Sequence, residues 1–247
     1  MVGIDVGSGT NRATARQSPS GRGWLLAAVA VVSILAWQTE TGRLALYPFT
    51  ILATWFHEMG HGLAGMLTGR TFERLVIFPN GSGYALTVRF GGEWRLASAF
   101  VSAAGPLGPA VAGSLLILAS RRIGATRACL AWLGLALLIS TLIWVRSPIG
   151  WVVLPAMGVG LVLLATYGSA TWQRLGVQVV GVQAGISAWQ QFGYLFSSSA
   201  DIGGRLSRSD TGAIAEALFL PYWVWGAAVS ALIVTLLTLS ARHALRP

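Results

Sequence analysis

The chain has 247 residues, of which 54% are hydrophobic and only 10% charged, whereas an ordinary soluble domain carries roughly 25% charged residues. That composition excludes a soluble globular enzyme, and at about 20 apolar residues per bilayer crossing the length holds roughly six or seven transmembrane helices. The net charge of +9 comes from 17 basic residues, all of them arginine, against 8 acidic ones; scattered through short connections, they suit anionic lipid headgroups, and no nucleic-acid partner is expected.

Residues 1–23, rich in Gly, Ser, Thr and Arg, cannot bury enough apolar surface to order themselves and read as a disordered tail. Their opening, GIDVGSGT, looks like the first phosphate loop of actin-like ATPases, but such enzymes need two soluble lobes for which this chain has no room. Residues 24–247 read as a single membrane-embedded domain. Trp24 to Trp37 is an apolar stretch with no small-x-small cleavage pattern after it, hence an uncleaved first helix. Leu44 to Leu67 is long enough to span, yet contains His57, Glu58 and His61. Leu75 to Phe78 and Tyr84 to Phe90 are strand-like around the turn sequence Pro79-Asn80-Gly81-Ser82-Gly83, which predicts a β-hairpin. Further apolar stretches lie near 96–119, 125–145, 149–168 and 217–240, and a weaker one at 176–196 carries Gln178, Gln183, Gln190 and Gln191, as a polar-faced interior helix or an interfacial segment. The expected fold class is an all-α polytopic membrane protein, a bundle of six or seven helices with a small β-hairpin after the histidine-bearing helix.

His57-Glu58-Met59-Gly60-His61 fits H-E-x-x-H. Four residues apart on a helix, the two histidines share one face and can reach a single Zn²⁺, while Glu58 projects beside it as a candidate general base. An unpaired carboxylate within an apolar helix costs at least about 2.5 kcal/mol, so a partner cation or a polar cavity is expected there. Catalytic zinc takes three protein ligands plus water, and the chain must supply the third from elsewhere. His243 sits in the Arg-flanked C-terminal end, and extended zinc-peptidase patterns fail, since the position three after His61 is Ala64 and Leu67 stands where a third histidine would be. A carboxylate remains, from Asp201, Asp210 or Glu216. Asp210 is preferred, with helix N-cap as its structural alternative, and Asp201 is second. The single cysteine, Cys129, excludes both an intrachain disulfide and a cysteine metal cluster.

Phe56-His57-Glu58-Met59-Gly60-His61-Gly62-Leu63-Ala64, then a hairpin, then Ala104-Gly105-Pro106-Leu107, and finally Ser209-Asp210 followed by Pro221, Trp223 and Trp225, together resemble the site-2 protease family of integral-membrane zinc metallopeptidases, in its compact bacterial branch without a PDZ domain. The resemblance covers roughly residues 44–240. Two departures stand out. Gly108 lies near where many members carry a substrate-holding Asn, and no Asp in the chain is followed by Gly, so the usual Asp-Gly ligand motif is missing.

Motif and resemblance imply an intramembrane zinc metalloprotease of a bacterial inner membrane, with His57, His61 and Asp210 on Zn²⁺, Glu58 activating water, and a membrane protein or peptide in the lipid bilayer as substrate. The alternative is a non-catalytic metal-binding membrane protein, a pseudoprotease acting as a binding or chaperone module. Transport would call for paired broken helices in two related halves, and no internal repeat is visible.

Overall fold

The computed structural model describes residues 19–89, 91–92 and 94–246. Most of the expected tail, including GIDVGSGT, and the expected strand end Phe90 lie outside those residues. In chain order the elements are α1 (Pro19–Trp37), α2 (Glu40–Leu67), β1 (Thr71–Ile77), β2 (Gly83–Val88), α3 (Arg95–Ala119), α4 (Ile123–Ile143), α5 (Pro148–Tyr167), α6 (Ala170–Gln190), α7 (Phe192–Leu195), β3 (Ser199–Ile202), β4 (Arg205–Arg208), α8 (Asp210–Ala217) and α9 (Tyr222–Leu245). The mainly helical, polytopic class and the hairpin after the histidine helix are as the sequence predicts.

Among the described residues, α3, α4, α5 and α9 are each long and apolar enough to cross a membrane, and α1 with α2 passes the same test as a pair bent by 114°, giving up to five spans. Six or seven is therefore a count of long helices rather than of uniformly apolar ones. The bend falls at Gln38–Thr39, where Thr39 leaves helical geometry and its Oγ1 accepts from the Gly42 N–H at 3.0 Å, restarting the chain as α2.

α6 is the long helix whose polarity needed a structural answer, and it lies in the bundle interior. Gln173 is fully buried and its Nε2 donates to the α5 carbonyls of Ala165 (2.9 Å) and Leu164 (3.2 Å) and to Gly168 (3.0 Å) just beyond, capping that helix end. Gln183 accepts from Trp37 Nε1 at 3.1 Å and donates to Ser33 Oγ at 3.0 Å, tying α6 to α1. In lipid, helices gain little from hiding apolar surface from their equally apolar solvent, so such interhelical hydrogen bonds and close packing carry the association. The outer faces agree, exposing Trp132, Leu142, Val152 and Leu239.

The histidine helix is fixed by its neighbours before any chemistry is considered. Ile51, Leu52, Trp55 and Met59 of α2 pack into one core with Leu130 and Leu137 of α4 and Leu154 of α5, and Trp55 Nε1 donates to the buried Ser140 Oγ at 2.9 Å. At its C-terminal end Gly69, at φ +82°, turns the chain into β1.

β1 and β2 pair antiparallel with Leu75 opposite Ala85, one register irregularity lying between Phe72 and Arg74. The first strand starts earlier than predicted, at Thr71. Its outer edge is closed: the Leu75 N–H donates to Trp144 O and the Arg146 N–H to Leu75 O, both at 2.8 Å. Because Leu75 turns both backbone groups away from β2, its partner Ala85 must turn both of its own away from β1. That outward edge of β2 faces the histidines.

A second hairpin, β3–β4, was not expected. It carries Asp201 and turns through Gly203 (φ 61°) and Gly204 (φ 82°), the Gly204 N–H donating to Asp201 Oδ1 at 2.7 Å. Its strands are only four residues each, and the brief alternation of Ala200 and Ile202 with Ser199 and Asp201 is too short to mark a strand, so the Gly-Gly pair is the clearest signal. The apolar stretch expected at 217–240 begins later, at Tyr222, because α8 takes up residues 210–217.

Candidate metal centre

α2 supplies two imidazoles from successive turns of one face, with ring centroids 4.9 Å apart. α8 supplies the third group. Its N-cap is Ser209, whose Oγ accepts from the Gly212 N–H at 3.1 Å, so the capping role weighed for Asp210 is filled by its neighbour and the Asp210 carboxylate is turned to the histidines. Asp210 Oδ2 lies 3.0 Å from His57 Nε2 and Oδ1 lies 3.2 Å from His61 Nε2. The three side chains can each direct one atom to a common point, all within 4.8 Å of one another. The other candidate carboxylates are employed elsewhere: Asp201 holds its own turn, and Glu216 pairs with Arg208.

Whether these groups suit a cation follows from their protons. His61 Nδ1 lies 2.8 Å from the Val101 carbonyl, which can only accept, so Nδ1 carries the hydrogen; His57 Nδ1 stands 3.1 Å from Gln191 Oε1 in the same relation. With its hydrogen on Nδ1 and none on Nε2, the form in which an imidazole ligates a metal, each ring presents the lone pair of Nε2 toward Asp210. Oδ2 of that carboxylate is shut off from solvent and has no hydrogen bond of good geometry despite its 3.0 Å neighbour. In that form two nitrogen lone pairs and a carboxylate converge with no donor between them, an arrangement that a cation at their centre satisfies. A His-His-carboxylate set with an open position fits a divalent metal such as zinc.

Gly105 of α3 makes room at the same point. A Cβ there would lie 2.1 Å from His61 Nε2 and 2.8 Å from His57 Nε2, in the space a metal would take. Gly108 explains one departure from the family pattern. Its Cβ would meet the Phe56 carbonyl at 2.3 Å, so α3 lies against α2 there and no asparagine side chain fits.

Glu58 is buried, and the Ala85 N–H on the outward edge of β2 is its backbone partner. It opens into a cleft of about 420 Å³ together with His57, His61 and Asp210. β2 forms one wall of that cleft and the β3–β4 hairpin contributes Ala200, Asp201 and Arg208 to it. The two hairpin tips meet, the Gly203 N–H donating to Ser82 Oγ at 3.2 Å, and the Phe78 ring covers Gly203.

A family model described as Peptidase M50B-like matches residues 25–240. The chain belongs to the Peptidase M50B-like family. No curated protein and no solved structure matches it. Family and fold together make this a membrane protein of a peptidase family with a candidate metal-binding triad.

Two residues at the centre escaped the sequence reading. Gln191 orients His57, and its signal was a Gln-Gln pair at the end of an apolar stretch. Tyr194 accepts the Asp210 backbone N–H at 3.0 Å and thereby anchors the start of α8. Burial first, and the Asp210 carboxylate second, push the Tyr194 phenol well above the usual tyrosine range, so it remains protonated. Replacing Gln191 by Ala removes the partner that fixes the His57 ring and should weaken divalent-metal affinity by roughly 10- to 100-fold. Competitive zinc titration of the purified variant checks this; an unchanged affinity would mean that helix packing alone orients the ring.

Proposed function

We propose that the protein is an intramembrane zinc metalloprotease that hydrolyses peptide bonds in or next to membrane-spanning segments. The observation that carries the reading is the convergence of three ligand atoms and a buried glutamate in one cleft beneath an open strand edge. His57, His61 and Asp210 would hold Zn²⁺. Bound there, the metal supplies Lewis acidity to the scissile carbonyl and acidifies the attacking water.

The chain's own groups do the rest. Glu58 takes a proton from the water at its carboxylate and passes it to the leaving amide nitrogen, with no covalent enzyme intermediate. Gln191 and the Val101 carbonyl keep both imidazoles in the tautomer whose Nε2 faces the metal position. A substrate helix hides its backbone in its own hydrogen bonds and must unwind to be cut; the outward N–H and C=O groups of β2 offer those freed groups a partner strand. Pairing of that kind reads backbone rather than side chains. Substrates are then membrane-spanning or membrane-adjacent segments, such as regulatory proteins or leftover signal peptides, and the setting a bacterial inner membrane.

The test measures metal and cleavage on the same preparation. Detergent-purified wild type should carry about one zinc per chain and Asp210→Ala should lose it. Reconstituted wild type should cut a single-span peptide, with cleavage stopped by chelator and restored by zinc. Folded wild type that takes up no resupplied zinc would end the proposal.

A further inference from the structure

The other end of the bundle carries a second feature with a chemistry of its own. α3 runs from the metal centre, where Val101 meets His61, to Ala119, a distance of roughly 27 Å at 1.5 Å per residue, close to one hydrocarbon thickness. Where it ends, the turn into α4 and the last turn of α9 bring Arg121, Arg122, Arg242, His243 and Arg246 around the mouth of a groove of about 1050 Å³. Among the described residues, no acidic side chain lines it.

Below this basic mouth the walls change character. Val111, Leu115 and Leu118 of α3 face Leu236 and Leu239 of α9, so the groove descends about two helical turns between apolar side chains. On the other side of α3, Val111 and Leu115 also border a second groove, of about 710 Å³, between α2, α3 and α4. That groove is lined by Phe56, Met59, Leu107 and Trp132 and passes behind the histidine helix. A cationic mouth leading into an apolar trough has the polarity of a lipid with an anionic headgroup.

We infer that the α3–α9 groove is a binding site for an anionic glycerophospholipid, its phosphate among Arg122, Arg242 and Arg246 and an acyl chain along Val111 and Leu115. Arg121 has a separate duty. Its guanidinium donates to the carbonyls of His243 (2.8 Å) and Arg246 (3.5 Å), closing the C-terminal end of α9 and shaping the mouth. The lipid charge compensates arginines that would otherwise gather like charge at one membrane face, and the acyl chain fills space that neighbouring helices leave open. Occupancy would also brace α3, the helix that carries Gly105 and the Val101 carbonyl at the metal centre. This inference does not depend on the peptidase reading.

The experiment uses the full chain in neutral detergent and native mass spectrometry with three probes: dioleoyl phosphatidylglycerol, dioleoyl phosphatidylcholine and inorganic phosphate. Wild type should retain one phosphatidylglycerol preferentially, and phosphate at the same concentration should not displace it. The Arg122→Gln/Arg242→Gln double variant should bind it roughly 30-fold more weakly, the ordinary contribution of two basic residues facing an anionic headgroup. Leu239→Trp, which leaves every arginine in place and fills the trough, should also lose the lipid and covers the case in which the double variant does not fold. Equal retention of phosphatidylcholine, competition by free phosphate, or undiminished binding by either folded variant would overturn the assignment.

Discussion

Gly105→Ala should abolish metal binding while leaving the fold intact. The added methyl would stand 2.1 Å from His61 Nε2, 2.3 Å from its Cε1 and 2.8 Å from His57 Nε2, whereas zinc sits about 2.0 to 2.1 Å from a ligating imidazole nitrogen. Carbon and metal cannot share that volume. The clash falls on side chains rather than on backbone, so the imidazoles can swing aside and α2 and α3 can keep their packing; what is lost is the convergence of the three ligands. Zinc content should fall from about one per chain to a trace, a loss of affinity well over 100-fold, with thermal stability changed by no more than the metal's own contribution. Elemental analysis beside a thermal melt in chelator checks both parts. A variant that holds its zinc would place the metal away from the Gly105 face and disqualify the Nε2 geometry described above.

That prediction was out of reach of the sequence, and the reason shows what was legible and what was not. His57, Glu58 and His61 announce themselves because their spacing is set by one helix, and helical periodicity is a local property. The third member of the candidate cluster depends on tertiary packing, so Asp201, Asp210 and Glu216 compete in the sequence, and it is the Ser209 cap, the Asp201 turn and the Arg208–Glu216 pair that leave Asp210 beside the histidines. Gly105 was visible only as part of an Ala-Gly-Pro-Leu segment; its proximity to the imidazoles depends on how closely α3 crosses α2. The same crossing accounts for Gly108, a departure from the family pattern that has a steric cause. The first hairpin was readable from alternation around Asn-Gly, whereas β3–β4 was not, since strands of four residues are too short for alternation to stand out and leave Gly203-Gly204 as the clearest mark. The membrane-spanning character of α3, α4, α5 and α9 came directly from composition, while α6 needed the partners of Gln173 and Gln183 before it could be placed inside the bundle.

Glu58→Gln should keep the metal and abolish cleavage, and it separates the protease from a binding module built on the same site. Glutamine has nearly the volume of glutamate and can still accept the Ala85 N–H, so the buried position stays filled and hydrogen-bonded. What it cannot do is accept and return a proton. General acid–base catalysis of this kind contributes about 10²- to 10⁴-fold, and with Glu58 the buried carboxylate beside the candidate ligands, the expected fall in cleavage is at the upper end of that range. Zinc content should match wild type, because Glu58 is not among the three converging ligands. The comparison is single-turnover cleavage of a reconstituted single-span peptide, run next to zinc analysis of the same sample. Wild-type cleavage by the zinc-loaded variant would remove Glu58 from the mechanism. If neither protein cleaves, yet both rescue a deletion phenotype in cells, the centre serves as a binding module and the open edge of β2 holds a partner it does not cut.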